Sequence, residues 1–200
     1  MKTISRFVCA IFLVACAMPA VAHDHEHHHE AQAAPVPLSE SLFNITDTWV
    51  TSDGKPFHLS ELGGSPSVIA MIYTSCKDVC PLIVEDMKKI ERNLPASLSG
   101  KVHFAVFSFD PDRDTTKKLE DFAQAHQVNK PTWVVANGKP EAVRRLSVSL
   151  GLKYKKTRTG DYEHGVGIYV LDKDGVIQFV QSKLLQDGED AVTALRKLEH

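Results

Sequence analysis

The chain has 200 residues, 43% of them hydrophobic, and this length gives room for one well-buried domain rather than two. The formal net charge at pH 7 is only -2, and no stretch of the sequence combines clustered Lys or Arg with interleaved aromatic residues. Proteins that bind nucleic acid carry a basic surface that offsets phosphate charge, so we exclude a nucleic-acid partner.

The first 22 residues have the features of a secretory signal. A basic start precedes an apolar run over residues 7–17, and the small-residue sequence Ala-Val-Ala ends at Ala22. The apolar run is too short for a comfortable membrane span. We predict that residues 1–22 are a signal peptide cleaved after Ala22. The alternatives are an uncleaved anchor or a lipoprotein signal, because Leu-Val-Ala-Cys ending at Cys16 fits a bacterial lipobox.

Either route places the folded domain outside the bacterial cytoplasm, most simply in the periplasm. Contact with the membrane would then come through a lipid anchor, an uncleaved signal or a partner protein. Of the four cysteines, Cys9 and Cys16 belong to the signal, which leaves Cys76 and Cys80 in the mature domain. All thiol chemistry of the mature protein therefore depends on that pair.

Residues 23–38, HDHEHHHEAQAAPVPL, form a His-, Ala- and Pro-rich stretch with almost no large apolar side chain. Such a stretch buries too little surface to offset the entropy lost on ordering, so we predict a disordered tail. Its five histidines suit divalent metals such as copper or zinc. Metal capture and a plain solubilising linker stay open as alternatives.

The folded domain is predicted over residues 39–200, and it begins with a hairpin turned at Asp53-Gly54. Residues 67–73 are a continuous apolar and β-branched run, which predicts a strand buried on both faces. Pro81 suits the first position of the helix that follows, and this makes Cys80 the predicted N-cap residue.

Two further strand–helix units follow, and then a second hairpin and a terminal helix. The predicted strands cover residues 102–109 and 132–136, the third helix runs from Pro140 to Gly151, and the second hairpin turns at Asp174-Gly175. Strands that alternate with helices and end in a hairpin predict an α/β domain with a thioredoxin-like fold. Its mixed central sheet is covered by helices and has an added N-terminal hairpin.

Cys76 and Cys80 form a CxxxC motif at the predicted junction of a strand and a helix. The unsatisfied N–H groups of a helix N-terminus stabilise a thiolate, so these cysteines should be reactive. Three intervening residues let two sulfurs hold one soft metal ion, and they also permit a disulfide. The spacing leaves a metal site, a disulfide catalyst and a structural disulfide open.

A third ligand would separate these alternatives, and the histidines outside the tail are the candidates. Ordinary surface or core-edge roles account for His58, His103 and the terminal His200, and His126 ends a predicted helix, where a cationic side chain is favourable. His164 lies in a glycine-flanked loop before a predicted buried strand. In a thioredoxin-like fold this loop lies beside the cysteine-bearing helix, so His164 is either a third ligand or a solvent-facing loop residue.

Three segments in this order resemble the SCO/SenC family of copper chaperones for cytochrome c oxidase. They are YTSCKDVCPLIVEDM at residues 73–87, FSFDPDRDTT at residues 107–116 and DYEHGVGIYVLDKDG at residues 161–175. The resemblance covers about Ser39 to Val180 and implies a thioredoxin fold. It also implies a site in which Cys76, Cys80 and His164 bind copper, as Cu(I) or Cu(II).

The resemblance also includes three aspartates, Asp78, Asp110 and Asp114. Turn formation and helix capping are the ordinary roles of aspartate at such positions. Support of the metal ligands or docking of a partner is the alternative.

Two functions of different classes follow. The first is a chaperone that delivers copper to the copper-accepting subunit of a respiratory oxidase. The second is a thiol-disulfide oxidoreductase, in which Cys76 attacks and Cys80 resolves the mixed disulfide, with a thiol-disulfide reductant as a further partner. We favour delivery, because His164 has no ligand role in the second function, and we leave enzymatic activity open.

Overall fold

This computed structural model of the protein describes residues 40–199. The predicted signal peptide, residues 1–22, and the predicted tail, residues 23–38, lie outside the described residues and stay predictions. The elements follow the predicted alternation of strands and helices between two hairpins. In chain order they are β1 (Trp49–Thr51), β2 (Pro56–Phe57), β3 (Ser67–Ile72), α1 (Val79–Arg92), β4 (His103–Ser108), α2 (Thr116–Ala125), β5 (Trp133–Gly138), α3 (Pro140–Ser149), β6 (Tyr154–Lys156), β7 (Tyr162–His164), β8 (Ile168–Leu171), β9 (Ile177–Gln181) and α4 (Glu189–Arg196).

Seven of these strands form one mixed sheet in the order β2-β1-β5-β4-β3-β8-β9. The central strands β3, β4 and β5 are parallel, whereas β1 and β8 join them antiparallel on either side. All six residues of β3 are buried, which shows that both faces of the sheet are covered at its centre. The mixed central sheet and the added N-terminal hairpin of β1 and β2 confirm the predicted thioredoxin-like fold.

Strand direction brings three segments of the chain to one edge of the sheet. The ends of the parallel strands β3 and β4 are level, because Ile72 pairs with Ser108. The antiparallel strand β8 begins at this same edge, where Ile168 pairs with Ala70. The residues after β3, the residues after β4 and the residues before β8 therefore meet there.

Helix α1 starts earlier than the sequence predicted. Its first residue is Val79 and its N-cap residue is Asp78, so the prediction that Cys80 caps the helix is wrong. Cys80 is the second helical residue and Pro81 the third. Proline is tolerated there because the N–H groups of the first turn have no partner within the helix. No helix among residues 40–199 is long and apolar enough to cross a membrane.

The structure also contains a two-stranded ribbon, formed by β6 and β7, that was not predicted from the sequence. His164, predicted in a loop, is the last residue of β7 and pairs with Tyr154 of β6. Each strand has only three residues, and the connecting turn is polar and contains Gly160. Neither a buried apolar run nor a sustained alternation marks such short strands in a sequence.

Candidate metal centre

The two cysteines lie where the chain passes from the end of β3 into α1. Cys80 is buried in the first turn of the helix, and Cys76 is half-buried in the loop before it. Both are free thiols, and the backbone N–H of Cys80 donates to Sγ of Cys76 at 3.3 Å. The helix N-terminus thus directs a hydrogen-bond donor at Cys76, an arrangement that stabilises a thiolate.

The surroundings give the two thiols opposite acidities. Burial acts to raise the pKa of Cys76, but hydrogen bonds from the start of α1, first from the Cys80 backbone, outweigh it and lower this pKa. The pKa of Cys80 is raised, mainly by burial and further by the neighbouring Cys76. Cys76 is therefore the more readily formed and the more accessible thiolate.

His164 reaches the cysteines from β7, although it follows Cys80 by 84 positions in the chain. Its Nε2 lies 3.8 Å from Sγ of Cys80, and the ring nitrogen and the two sulfurs all lie within 4.8 Å of one another. Nδ1 lies 2.7 Å from the carbonyl oxygen of Gly165, and a carbonyl oxygen only accepts hydrogen bonds. Nδ1 therefore carries the proton, and the lone pair of Nε2 is free for a metal.

Aromatic side chains enclose the imidazole on the protein side. The ring of His164 lies 4.9 Å from the ring of Phe109 and 6.0 Å, edge-on, from that of Tyr73, and both aromatic residues are buried. Burial first, and then the nearby Cys76, raise the pKa of Tyr73 to about 12. The Tyr73 hydroxyl therefore stays protonated, and the imidazole meets a largely apolar wall that limits access of water.

The three donors suit a soft metal ion. Bonds of about 2.3 Å to sulfur and about 2.0 Å to nitrogen place the donors of one ion roughly 3.3–4.0 Å apart. Since the donors here lie within 4.8 Å of one another, a small inward movement completes the set. Thiolate and imidazole together favour copper or zinc over magnesium or calcium. In the part of the chain that the structure describes, no other group of three His, Cys, Asp or Glu residues converges in this way.

Two other candidate histidines lie apart from this centre. His58 precedes the short 3₁₀ helix Leu59–Leu62 and forms a capping box with Glu61. His103 begins β4, at the opposite edge of the sheet from the cysteines. The ordinary structural roles predicted for both agree with these positions. His200 and the histidines of the tail lie outside the described residues.

His126 follows α2, as predicted, but its surroundings do not favour a charge. Its ring packs on Phe122 with 4.3 Å between ring centroids. Burial and then the charge of Lys88 lower the pKa of His126. Desolvation thus favours the neutral imidazole and opposes the favourable effect of the helix C-terminus on a cationic side chain.

Asp114 does not cap a helix, and its side chain bonds instead to residues at the ends of β3 and β4. Its carboxylate is fully buried and accepts hydrogen bonds from the Thr74 N–H at 2.9 Å, the Thr74 hydroxyl at 2.5 Å and the Ser108 hydroxyl at 2.5 Å. The N-cap of α2 is instead Thr115. Because Thr74 is two residues before Cys76, Asp114 ties the cysteine loop to the end of β4.

The other two aspartates of the resemblance differ from each other. Asp110 is also fully buried, and it pairs with Arg113 and accepts from the Tyr162 hydroxyl at 3.1 Å. Asp78 is exposed and occupies the N-cap of α1, without a side-chain capping bond. Sequence reasoning did not identify Thr74 or Tyr162. For Thr74 the available signal was a polar loop directly after the buried strand β3, whereas the short strand β7 gave no signal for Tyr162.

Fold and site together define a thioredoxin-like domain with a Cys-Cys-His group at the carboxyl edge of its parallel strands. The family model described as SCO1/SenC matches residues 39–200. The chain belongs to the SCO1/SenC family, as its three sequence motifs predicted.

Three of the similar proteins match over most of their length. A Stutzerimonas stutzeri protein, with the provisional name of copper-binding protein, is 26% identical to this chain over 183 residues. The match covers 89% of this chain and 88% of that protein. The structure of Bradyrhizobium japonicum ScoI with copper bound has a TM-score of 0.64 at 27% identity, over 76% of this chain and 96% of that chain. A SCO1/SenC family lipoprotein from Bacillus anthracis str. Ames has a TM-score of 0.68 at 27% identity, over 78% and 94% of the two chains.

Proposed function

We propose that the protein binds one copper ion through Cys76, Cys80 and His164 and delivers it to the copper-accepting subunit of a respiratory oxidase. The observation that carries this proposal is the convergence of two sulfurs and a free imidazole nitrogen within 4.8 Å of one another. Membership of the SCO1/SenC family and the copper bound to the Bradyrhizobium japonicum relative support copper as the ion.

The ligand chemistry agrees with copper as cargo in either oxidation state. Thiolates are soft ligands that favour Cu(I), and an added imidazole also accommodates Cu(II). A three-ligand site leaves a coordination position for a ligand of the receiving protein. Because Cys76 is half-exposed and Cys80 is buried, we expect the incoming ligand to displace Cys76 first.

We propose a periplasmic location in association with the membrane. The predicted signal over residues 1–22 supports secretion, and the Bacillus anthracis relative is a lipoprotein. A copper acceptor that is part of a respiratory oxidase would be reached on that side of the membrane.

A copper titration of the reduced chain tests the site. We expect Cys76→Ser and His164→Ala each to lower copper affinity by roughly 100-fold or more, because loss of a ligand costs more than loss of a supporting contact, for which about 10–100-fold is typical. His103→Ala is the matched control, because His103 lies at the opposite edge of the sheet. Equal affinity of His164→Ala and His103→Ala would refute the three-ligand site.

One observation also favours a second function, thiol-disulfide exchange. Cys76 has a lowered pKa and partial exposure, whereas Cys80 is buried with a raised pKa. The thiolate of Cys76 would attack a disulfide of the acceptor, form a mixed disulfide and release one acceptor thiolate. Cys80 would then lose its proton and attack Cys76, so that the pair is oxidised by two electrons and the acceptor is reduced.

Oxidase activity in a deletion strain that carries each variant separates the two functions. Copper delivery requires His164, so His164→Ala should impair oxidase assembly almost as much as Cys76→Ser, and added copper should restore activity by mass action. Thiol exchange requires only the cysteines, so His164→Ala should keep most activity and an added reductant should rescue the deletion. Full activity of His164→Ala, without any response of the deletion strain to copper, would favour the oxidoreductase.

A further inference from the structure

The ribbon that carries His164 is not part of the main sheet. Strands β6 and β7 pair with each other, and neither pairs with a strand of the seven-stranded sheet. Side-chain contacts must therefore hold the ribbon over the sheet edge. Since metal–ligand distances tolerate changes of only about 0.2 Å, these contacts decide whether the imidazole reaches a metal held by the two sulfurs.

Aromatic packing supplies part of this support. Alternate residues of a strand point to the same side, so Tyr162 and His164 share one face of the ribbon. The Tyr162 ring lies 5.2 Å from Phe109 and 5.3 Å from Tyr73, the same two residues that pack on His164. Aromatic rings pack favourably over a wide range of offsets, so these contacts alone allow the ribbon to slide.

A directional contact removes this freedom. The Tyr162 hydroxyl donates to Oδ1 of Asp110 at 3.1 Å. Asp110 is fully buried, its backbone N–H donates to the Ser108 hydroxyl at 3.0 Å, and its other carboxylate oxygen pairs with Arg113. The Arg113 guanidinium also lies over the Tyr162 ring, 5.6 Å from its centre. Tyr162 is thus held through both its hydroxyl and its ring.

We propose that Tyr162 is a positioning residue for His164: its hydrogen bond to Asp110 fixes the ribbon where the imidazole meets the sulfurs of Cys76 and Cys80. This inference rests on the proposed function, because it takes His164 as a copper ligand. The cysteines belong to α1 and its preceding loop, whereas the Tyr162 hydroxyl bonds to Asp110, which follows β4. Loss of the bond therefore weakens the contribution of the imidazole and leaves that of the sulfurs.

The test removes one oxygen atom. Tyr162→Phe deletes the hydroxyl and keeps the ring against Phe109 and Tyr73. Tyr154→Phe is the matched control, since it removes the same atom from the residue directly opposite His164 on β6, where the ring stacks on Phe109 at 5.4 Å.

Copper affinity of the full chain is measured in the reduced state, with less than one equivalent of Cu(I) and a competing chromophoric chelator. We expect Tyr162→Phe to weaken binding about tenfold, the scale typical of contacts that orient a ligand, and Tyr154→Phe to stay within about twofold of wild type. In the Cu(II)-loaded proteins, the nitrogen hyperfine coupling of the imidazole should weaken only in Tyr162→Phe.

A double-mutant cycle distinguishes positioning from a general structural effect. When His164 is already alanine, adding Tyr162→Phe should cause no further loss of copper affinity. An unchanged affinity of Tyr162→Phe, or an equal loss in both backgrounds, would overturn the positioning role while leaving the copper site intact. Wild-type affinity of His164→Ala alone would instead overturn the proposed site, and this inference with it.

Discussion

The carboxylate of Asp114 ties the cysteine loop to the sheet, and its removal has a cost that follows from its contacts. The substitution Asp114→Ala leaves the Thr74 N–H and the hydroxyls of Thr74 and Ser108 without their acceptor. Hydrogen bonds to a charged group contribute about 1.5 kcal/mol or more each, so three give about 4.5 kcal/mol. Because the variant no longer buries a charge, part of this loss is offset, and we expect a net destabilisation of about 3 kcal/mol.

Asp112→Ala is the matched control from the same loop. The Asp112 side chain is 70% exposed, and its contact is an ion pair with Lys156 at 3.4 Å. Exposed ion pairs contribute little, so this variant should lose about 0.5 kcal/mol or less. The two substitutions remove the same chemical group at positions two residues apart, and only the burial and the number of donors differ.

Urea unfolding of the reduced, copper-free chain, followed by circular dichroism, provides the measurement. With a slope of about 2 kcal/mol per molar urea, a loss of 3 kcal/mol lowers the midpoint by about 1.5 M. A loss below about 1 kcal/mol for Asp114→Ala, or a loss no larger than that of Asp112→Ala, would refute the assignment of Asp114 as the anchor of this loop.

Two further predictions concern the cysteines and the tail. In the reduced protein, iodoacetamide should modify Cys76 first, and the rate should rise with pH around a midpoint below the ordinary thiol pKa of 9.0, because the lowered pKa of Cys76 provides thiolate at lower pH. Cys80 is buried and has a raised pKa, so it should react only when the protein unfolds. Peptide mapping measures the two rates, and equal rates for Cys76 and Cys80 would contradict this prediction. Deletion of residues 23–37 should leave the melting temperature and the tight copper site unchanged, because this segment has few apolar side chains to pack. Only weaker metal binding should be lost. A large drop in melting temperature would show that the tail is part of the fold.

Local sequence determined most of the individual elements. The apolar run at residues 67–73 forms β3, which ends at Ile72, and Pro140 begins α3 as predicted. The turn at Asp174-Gly175 joins β8 and β9, with Gly175 at φ 83°. Apolar runs, helix-start prolines and left-handed glycines act through contacts with near neighbours, so each is visible in a short window of sequence.

Only the tertiary structure decided how the candidate site is assembled. The sequence places Cys80 and His164 84 positions apart, and their 3.8 Å separation depends on β8 running antiparallel beside β3. The ribbon around His164 has no apolar pattern of its own and is held by aromatic residues from other elements.

The hydrogen-bond partners of the two buried aspartates were likewise decided by the tertiary structure. A short polar loop predicts turns and caps, yet Asp110 and Asp114 bond to residues 52 and 40 positions away. A buried carboxylate must accept hydrogen bonds from neighbouring donors, because an unsatisfied buried charge is costly. Tertiary packing decides which segments, and therefore which donors, lie beside it.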